Sequence, residues 1–255
     1  MDYGSLLENS GGFVLASMAD APRRGLALVL LFFLATSSFW ALPFAIPIDG
    51  PVRFVSVVGI VAASFASWLV LSGYLHRILL HPRAPPTLED FAGLALSGAR
   101  LFAVAIAYLF PLLVVLAVFG GIGVAGILAS GRSQDMIGLL SSITTLGLGV
   151  LLALIIWVVV GLAGSIGLVR SARAGGFRAG FDLPAILEHI GRIGWADYVV
   201  ALVLFWGVLG CTVAGIGLLS GLPVVGGVAA VLVGPACLLF SARYLSLLFD
   251  SAPAL

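Results

Sequence analysis

The chain has 255 residues, 62% of them hydrophobic and only 9% charged, with a mean hydropathy of +1.23. So little charge excludes a water-soluble domain of this length and points to an all-α, polytopic membrane bundle. The net charge of +1 excludes no partner by itself, but every one of the 12 basic residues is arginine and their placement is uneven.

The first stretch, Tyr3 to Met18, reads as a weakly amphipathic surface helix with Leu6, Leu7, Phe13 and Val14 on its apolar side. Asp2, Glu8 and Asp20 precede Arg23-Arg24, and no short apolar core with a small-residue cleavage site is visible. The first span is therefore expected to stay in the mature protein.

A membrane crossing needs about 20 apolar residues, and six stretches qualify. They are Gly25 to Ile48, Val52 to Leu75, Leu101 to Ala129, Met136 to Val169, Tyr198 to Ser220, and Pro223 to Phe249. The third and fourth are too long for a simple crossing, and the Ser141-Ser142-Ile143-Thr144-Thr145 patch of the fourth predicts a break or a projecting end. Pro111 and Pro235 lie inside spans, where each removes a backbone hydrogen bond and predicts a kink.

Between the spans, Thr87 predicts a helix start with Asp90 answering it as a capping box. Leu88, Phe91, Leu94 and Ala95 would then share the apolar face of a flat helix. Asp182, with Pro184 in the first turn, predicts a third flat helix. Its apolar face is Leu183, Ile186, Leu187 and Ile190, and its polar face is Glu188, His189 and Arg192. Such helices either lie in the lipid interface or pack beneath the bundle. A flat helix followed by two spans recurs, which suggests three tandem units over residues 1–80, 84–172 and 180–250 of a single integral membrane domain 1–255. Each unit crosses twice, so the units run parallel.

Arg23, Arg24, Arg77, Arg83, Arg100, Arg170, Arg173, Arg178 and Arg192 fall on one side, and Arg53 and Arg132 on the other. The positive-inside rule puts both termini in the cytoplasm and the chain in the cytoplasmic membrane. Seven of these arginines, Arg77, Arg83, Arg100, Arg170, Arg173, Arg178 and Arg192, are candidates to hold anionic lipid headgroups. Topology determination alone accounts for them equally. Small residues recur at fours in Gly59, Ala63 and Ser67, in Gly161 and Ser165, and in Gly226, Ala230 and Gly234. That spacing lets helices approach closely in lipid, within the chain or against a partner. Cys211 and Cys237 sit in apolar runs, as packing residues or as a disulfide between neighbouring spans.

Several short motifs occur together: Asp2-Tyr3-Gly4, Gly73-Tyr74-Leu75-x-Arg77, Leu88-x-Asp90-Phe91, Tyr108-x-x-Pro111, and Phe181-Asp182 three residues after Arg178. In these the chain resembles the prokaryotic membrane family catalogued as domain of unknown function 4013. The resemblance implies an integral membrane protein and carries no established activity or catalytic residues.

No charge falls in the middle of any span, which argues against an ion-coupled pump. No HExxH, GxSxG, phosphate loop or CxxC is present, and the glycine tracts do not follow strands. The reading is a non-catalytic membrane component, auxiliary or scaffolding, without cofactor or metal. Its expected partners are anionic lipid and a second copy or another membrane protein, with no nucleic acid. A transporter or channel for a small neutral or lipidic molecule, with its path near Pro111 and Pro235, is the alternative. A lipid-acting enzyme, which would gather His76, His189, Glu89 or Asp182 in one pocket, comes third.

Overall fold

The structure is a computed structural model that describes residues 1–47, 50–80, 85–133 and 135–253. Nine α-helices and one short 3-10 turn make up the regular structure among the described residues. Helix α1 (Tyr3–Met18) starts at Asp2, whose carboxylate accepts from the Ser5 N–H at 3.1 Å. Helices α2 (Pro22–Ala35) and α3 (Ser37–Ala45) replace the expected straight first span. They meet at Thr36 with a bend of 44°. The Thr36 hydroxyl takes up the Phe32 carbonyl at 2.9 Å, and the Ser38 N–H freed by the break donates to Ser64 Oγ at 2.9 Å. The break is thus provided with partners by the neighbouring helix, as a backbone in lipid requires.

Helix α4 (Pro51–Leu80) leads to α5 (Phe91–Ser133), which runs unbroken for 43 residues. The second flat helix is therefore not a separate element; it is the first turns of α5. Asp90 itself is the cap, accepting from the Gly93 N–H at 2.9 Å, so Thr87 does not form the expected box. The helix continues because Leu94, Gly98 and Leu101 pack on α4 in the register of the span that follows. Helix α6 (Met136–Ala174) is also continuous. Its Ser142, Thr144 and Thr145 hydroxyls donate to the carbonyls of Gly138, Leu140 and Ser141, so the polar patch is satisfied by its own helix and no break forms. Gly175, at φ +67°, ends α6 in the left-handed region.

A 3-10 turn (Arg178–Phe181) leads to α7 (Leu183–Ile193), capped by Asp182, then α8 (Trp195–Leu219) and α9 (Pro223–Asp250). Pro111 and Pro235 lie inside α5 and α9, which continue through them. Cys211 and Cys237 are free thiols.

Five helices, α4, α5, α6, α8 and α9, are long and apolar enough to cross a membrane, and α2 with α3 makes a sixth. The chain is a multi-pass helical membrane protein. Its packing is concentrated at the arginine-rich end. There Phe13, Leu28, Leu71, Tyr74, Leu94, Val169 and Leu239 form one cluster from six helices. Leu6, Ile166, Ile186, Tyr198, Phe205 and Tyr244 form a second. Helices α1 and α7 pack into these clusters, α1 alongside α9.

The far halves of α5 and α6 behave differently. Between Leu109 and Ala163 the buried positions are Gly123, Ser130, Ser142, Gly149 and Ala153, all small. They fit the two helices closely against each other: a Cβ on Gly123 would meet Leu146, one on Gly126 would meet Ser142, and one on Gly149 would meet Phe119. Many large apolar side chains of this hairpin arm are exposed, among them Leu113, Ile122, Ile137 and Leu148.

Candidate functional site: the arginine-rich end

The site is built from helix ends. Arg77, in the last turn of α4, reaches Asp90 at 3.0 Å and the Thr87 carbonyl at 3.5 Å. Arg170 of α6 reaches Asp182 at 3.2 Å. In both pairs the acid also caps the next helix, so one carboxylate fixes a helix start and ties it to the helix before. The side chains of the Arg77–Asp90 pair are 29% and 62% exposed, which limits such a pair to about 1 kcal/mol.

Arg173 is better placed. Its guanidinium forks onto Asp250, with Nη2 at 2.9 Å from Oδ2. The same Nη2 donates to Ser246 Oγ at 2.9 Å, Nε donates to the Leu79 carbonyl at 3.2 Å, and the group lies 4.7 Å over the Phe249 ring. A planar fork is suited to this set of partners. Arg173 thereby joins α6 to α4 and α9.

Tyrosines make the second set of ties. Tyr198 OH donates to the Leu162 carbonyl at 2.5 Å and lies 2.5 Å from Ser165 Oγ. Tyr244 OH donates to the Ala201 carbonyl at 2.8 Å, and Tyr108 OH donates to the Gly180 carbonyl. Tyr3 OH donates to Asp197 at 2.5 Å, and that hydrogen bond to a carboxylate raises the phenol above its ordinary pKa.

His189 does not sit on a polar face, as its position beside Glu188 predicts; it is buried. Its ring stacks on Phe249 at 4.0 Å, and Nε2 lies 3.0 Å from the Phe249 carbonyl. A carbonyl only accepts, so Nε2 carries the proton and Nδ1 accepts from Arg192 at 3.5 Å. Burial lowers the imidazole pKa; the Phe249 carbonyl opposes this, and Arg192, Arg170 and Arg173 add to the lowering. Leu183 and Leu187, expected on the inner face with Ile186 and Ile190, are exposed. The inner face is turned toward His189 because its ring, not a leucine, fills the space over Phe249.

The seven candidate lipid arginines thus divide. Arg77, Arg170 and Arg173 are engaged by Asp90, Asp182 and Asp250, and Arg192 by His189. Arg83 lies outside the described residues. Arg100 and Arg178 are exposed and have no hydrogen-bond or ion-pair partner among the described residues.

The small-residue stripes divide too. Gly234 lies under the Phe32 ring, Gly161 is in contact with Trp206, Ser165 holds Tyr198, and Gly226 sits against Ser220 in the α8–α9 turn. Ser67 is buried and Ala230 half-buried, whereas Gly59 and Ala63 are exposed. The tightest approaches are elsewhere. A Cβ on Gly73 would stand 1.8 Å from the Leu94 carbonyl oxygen, and one on Gly98 would stand 1.8 Å from that of Leu69. Here α4 and α5 touch backbone to backbone. Gly167 is covered by Tyr108 and Gly180 in the same way. Gly167 and Ser171 are four apart, the same spacing that marked the other stripes, but spacing did not rank them.

Residues 54–225, more than half of the chain, match the family model described as "Protein of unknown function (DUF4013)". The chain belongs to that family. No curated protein and no solved structure matches it.

Proposed function

We propose that this DUF4013 protein is a non-catalytic component of the cytoplasmic membrane, an auxiliary or scaffolding subunit. Its α5–α6 arm packs against a second copy or another membrane protein, and its arginine-rich end faces the cytoplasm and contacts anionic lipid. The observation that supports this reading is the arm itself. Two spans run past Leu109 with Gly123, Gly126 and Gly149 fitted against the facing helix and many large apolar side chains exposed. The clefts beside the spans, such as the one between Phe33, Trp40 and Val231, are lined by apolar groups rather than by acid–base pairs.

The test is extraction in mild detergent followed by intact-complex mass spectrometry. A fixed homo-oligomer or a stoichiometric membrane partner is expected. A lone monomer in every detergent would overturn the scaffold reading.

The break at Thr36 favours a second reading, a facilitator for a small neutral or lipidic molecule. Interrupted spans with polar groups at the break are used that way in transporters, and Ser37, Ser38 and Ser64 meet there. Flux into liposomes that is lost in Ser64→Ala would establish it.

We also infer three tandem units, over 1–80, 84–172 and 180–250. Asp2, Asp90 and Asp182 each accept from the N–H three residues on. The residue four on, Leu6, Leu94 or Ile186, is buried in each case.

A further inference from the structure

Beside α4 and α5 lies an apolar cleft of about 710 Å³. Phe65 and Leu69 of α4 form one wall, Phe102, Ala103 and Ala107 of α5 form the floor, and Phe177 of the loop after α6 closes one side. The small side chains of Ala103 and Ala107 leave the depth, and the phenyl rings supply the walls. The cleft begins at the arginine-rich end, at the level of Ala99, and runs along the spans to Phe110.

Two arginines adjoin its lining residues in sequence, Arg100 after Ala99 and Arg178 after Phe177. Arg100 precedes Ala103 and Ala107 by three and seven residues, so it lies on their flank of α5 one turn nearer the basic end. A helical side chain leans toward the N-terminus of its helix, which carries the guanidinium further toward the membrane surface. Arg178 directly follows Phe177. Both are exposed and, unlike Arg77, Arg170 and Arg173, neither has an acidic partner among the described residues. An apolar slot beside a membrane span, with two exposed arginines next in sequence to its lining and without an ion-pair partner among the described residues, is complementary to an acyl chain attached to a phosphate.

We propose that this cleft is a binding site for a single anionic phospholipid, with an acyl chain along Ala103 and Ala107 and the phosphate held by Arg100 and Arg178. The proposal rests on the reading of the arginine-rich end as lipid-contacting, and narrows it to two of the arginines and one groove.

The purified protein is equilibrated in micelles containing equal amounts of phosphatidylglycerol and phosphatidylcholine, and retained lipids are counted by intact-complex mass spectrometry. Wild type should retain phosphatidylglycerol selectively. Arg100→Gln with Arg178→Gln should weaken that retention by about fivefold for each arginine, about 25-fold together. Ala103→Trp, which fills the slot at an exposed position, should abolish it. Arg77→Gln with Arg170→Gln should leave the selectivity intact. If wild type shows no preference between the two lipids, the broader reading of the basic end fails and this site with it. If the preference survives both the Arg100/Arg178 double variant and Ala103→Trp, the groove is the wrong place while the broader reading stands. Should Ala103→Trp not fold, the double variant, at two surface positions, decides alone.

Discussion

At the arginine-rich end Leu94, Ile166 and Ile186 are 0%, 1% and 0% exposed, whereas on the arm Leu113, Ile137 and Leu148 are 54%, 83% and 57% exposed. The residue types are alike and the helices are partly the same ones. The difference is the solvent each region meets. In water an exposed leucine costs free energy, so helix ends that reach the membrane surface must gather into a packed base. In lipid the same leucine is as well placed facing a tail as facing a neighbour, so helices associate only through close fit and polar contacts. Helix α5, at 43 residues, is about 65 Å long against a hydrocarbon core of about 30 Å. Before Tyr108 one face of it is packed, with Leu94, Leu101 and Val104 buried, and after Tyr108 it is largely open. The base holds most of the packing, and the arm leaves its apolar side chains open.

The largest contrast should come from glycine. Gly98→Ala places a methyl group 1.8 Å from the Leu69 carbonyl oxygen, where backbone faces backbone and neither helix can yield without moving α4. A loss of about 3 kcal/mol or more is expected, as for severe overpacking. Gly120→Ala, on the arm, meets nothing within 4 Å. It should be neutral or gain about 0.5 kcal/mol from reduced backbone freedom. Unfolding curves in mixed micelles would separate the two, and equal losses would mean that the arm is as closely packed as the base.

Arginine gives the next contrast. Arg173→Gln breaks contacts to α4 and α9 together and should cost about 2 kcal/mol, because the fork has several partly buried partners. Arg132→Gln, at the exposed end of the arm, should change unfolding by less than about 0.3 kcal/mol. A smaller contrast separates hydroxyls. Tyr198→Phe loses the bonds to Leu162 and Ser165 and should cost about 1 kcal/mol. Thr212→Val, whose hydroxyl bonds only within its own helix, should cost almost nothing in the same measurement.

The sequence showed the open regime better than the packed one. Spans are read from long apolar runs, and the start of α9 at Pro223 is read directly. Single caps such as Asp2 and Asp182 are equally local. Where two signals compete within a few residues, local reading failed. Thr87 and Asp90 both offer a cap, and Asp90 prevails because Arg77, thirteen residues earlier, holds it in place. The polar patch of α6 looked like a break because composition does not reveal that each hydroxyl can turn back on its own helix. The glycine stripes predicted close approach without a partner: Gly59 meets nothing and Gly73 meets Leu94. Arg173 finds Asp250 across 77 positions, a distance at which no periodicity speaks.

His189 offers the finest test of the comparison, because it should respond to pH in the base alone. Its Nε2–H donates to the Phe249 carbonyl, which leaves Nδ1 bare and facing Arg192. Protonation would put an N–H against a guanidinium, with Arg170 and Arg173 close by, although Asp182 and Asp250 offset part of their charge. The folded imidazole therefore takes up its proton below the ordinary value of 6.5, while the unfolded chain takes it up at that value. Below pH 6.5 the unfolded state binds more protons, so stability rises with pH through that window. The contribution is complete above 6.5 and is lost as the pH falls through the folded value. Hydrogen exchange at about pH 7.5 and about pH 5.5 should show α7 loosening at the lower pH while the arm is unchanged, with a fall in Tm of about 2–4 °C for each kcal/mol lost. His189→Gln, neutral at both pH values, should flatten the profile. If α7 still loosens on acidification in that variant, the imidazole does not carry the dependence.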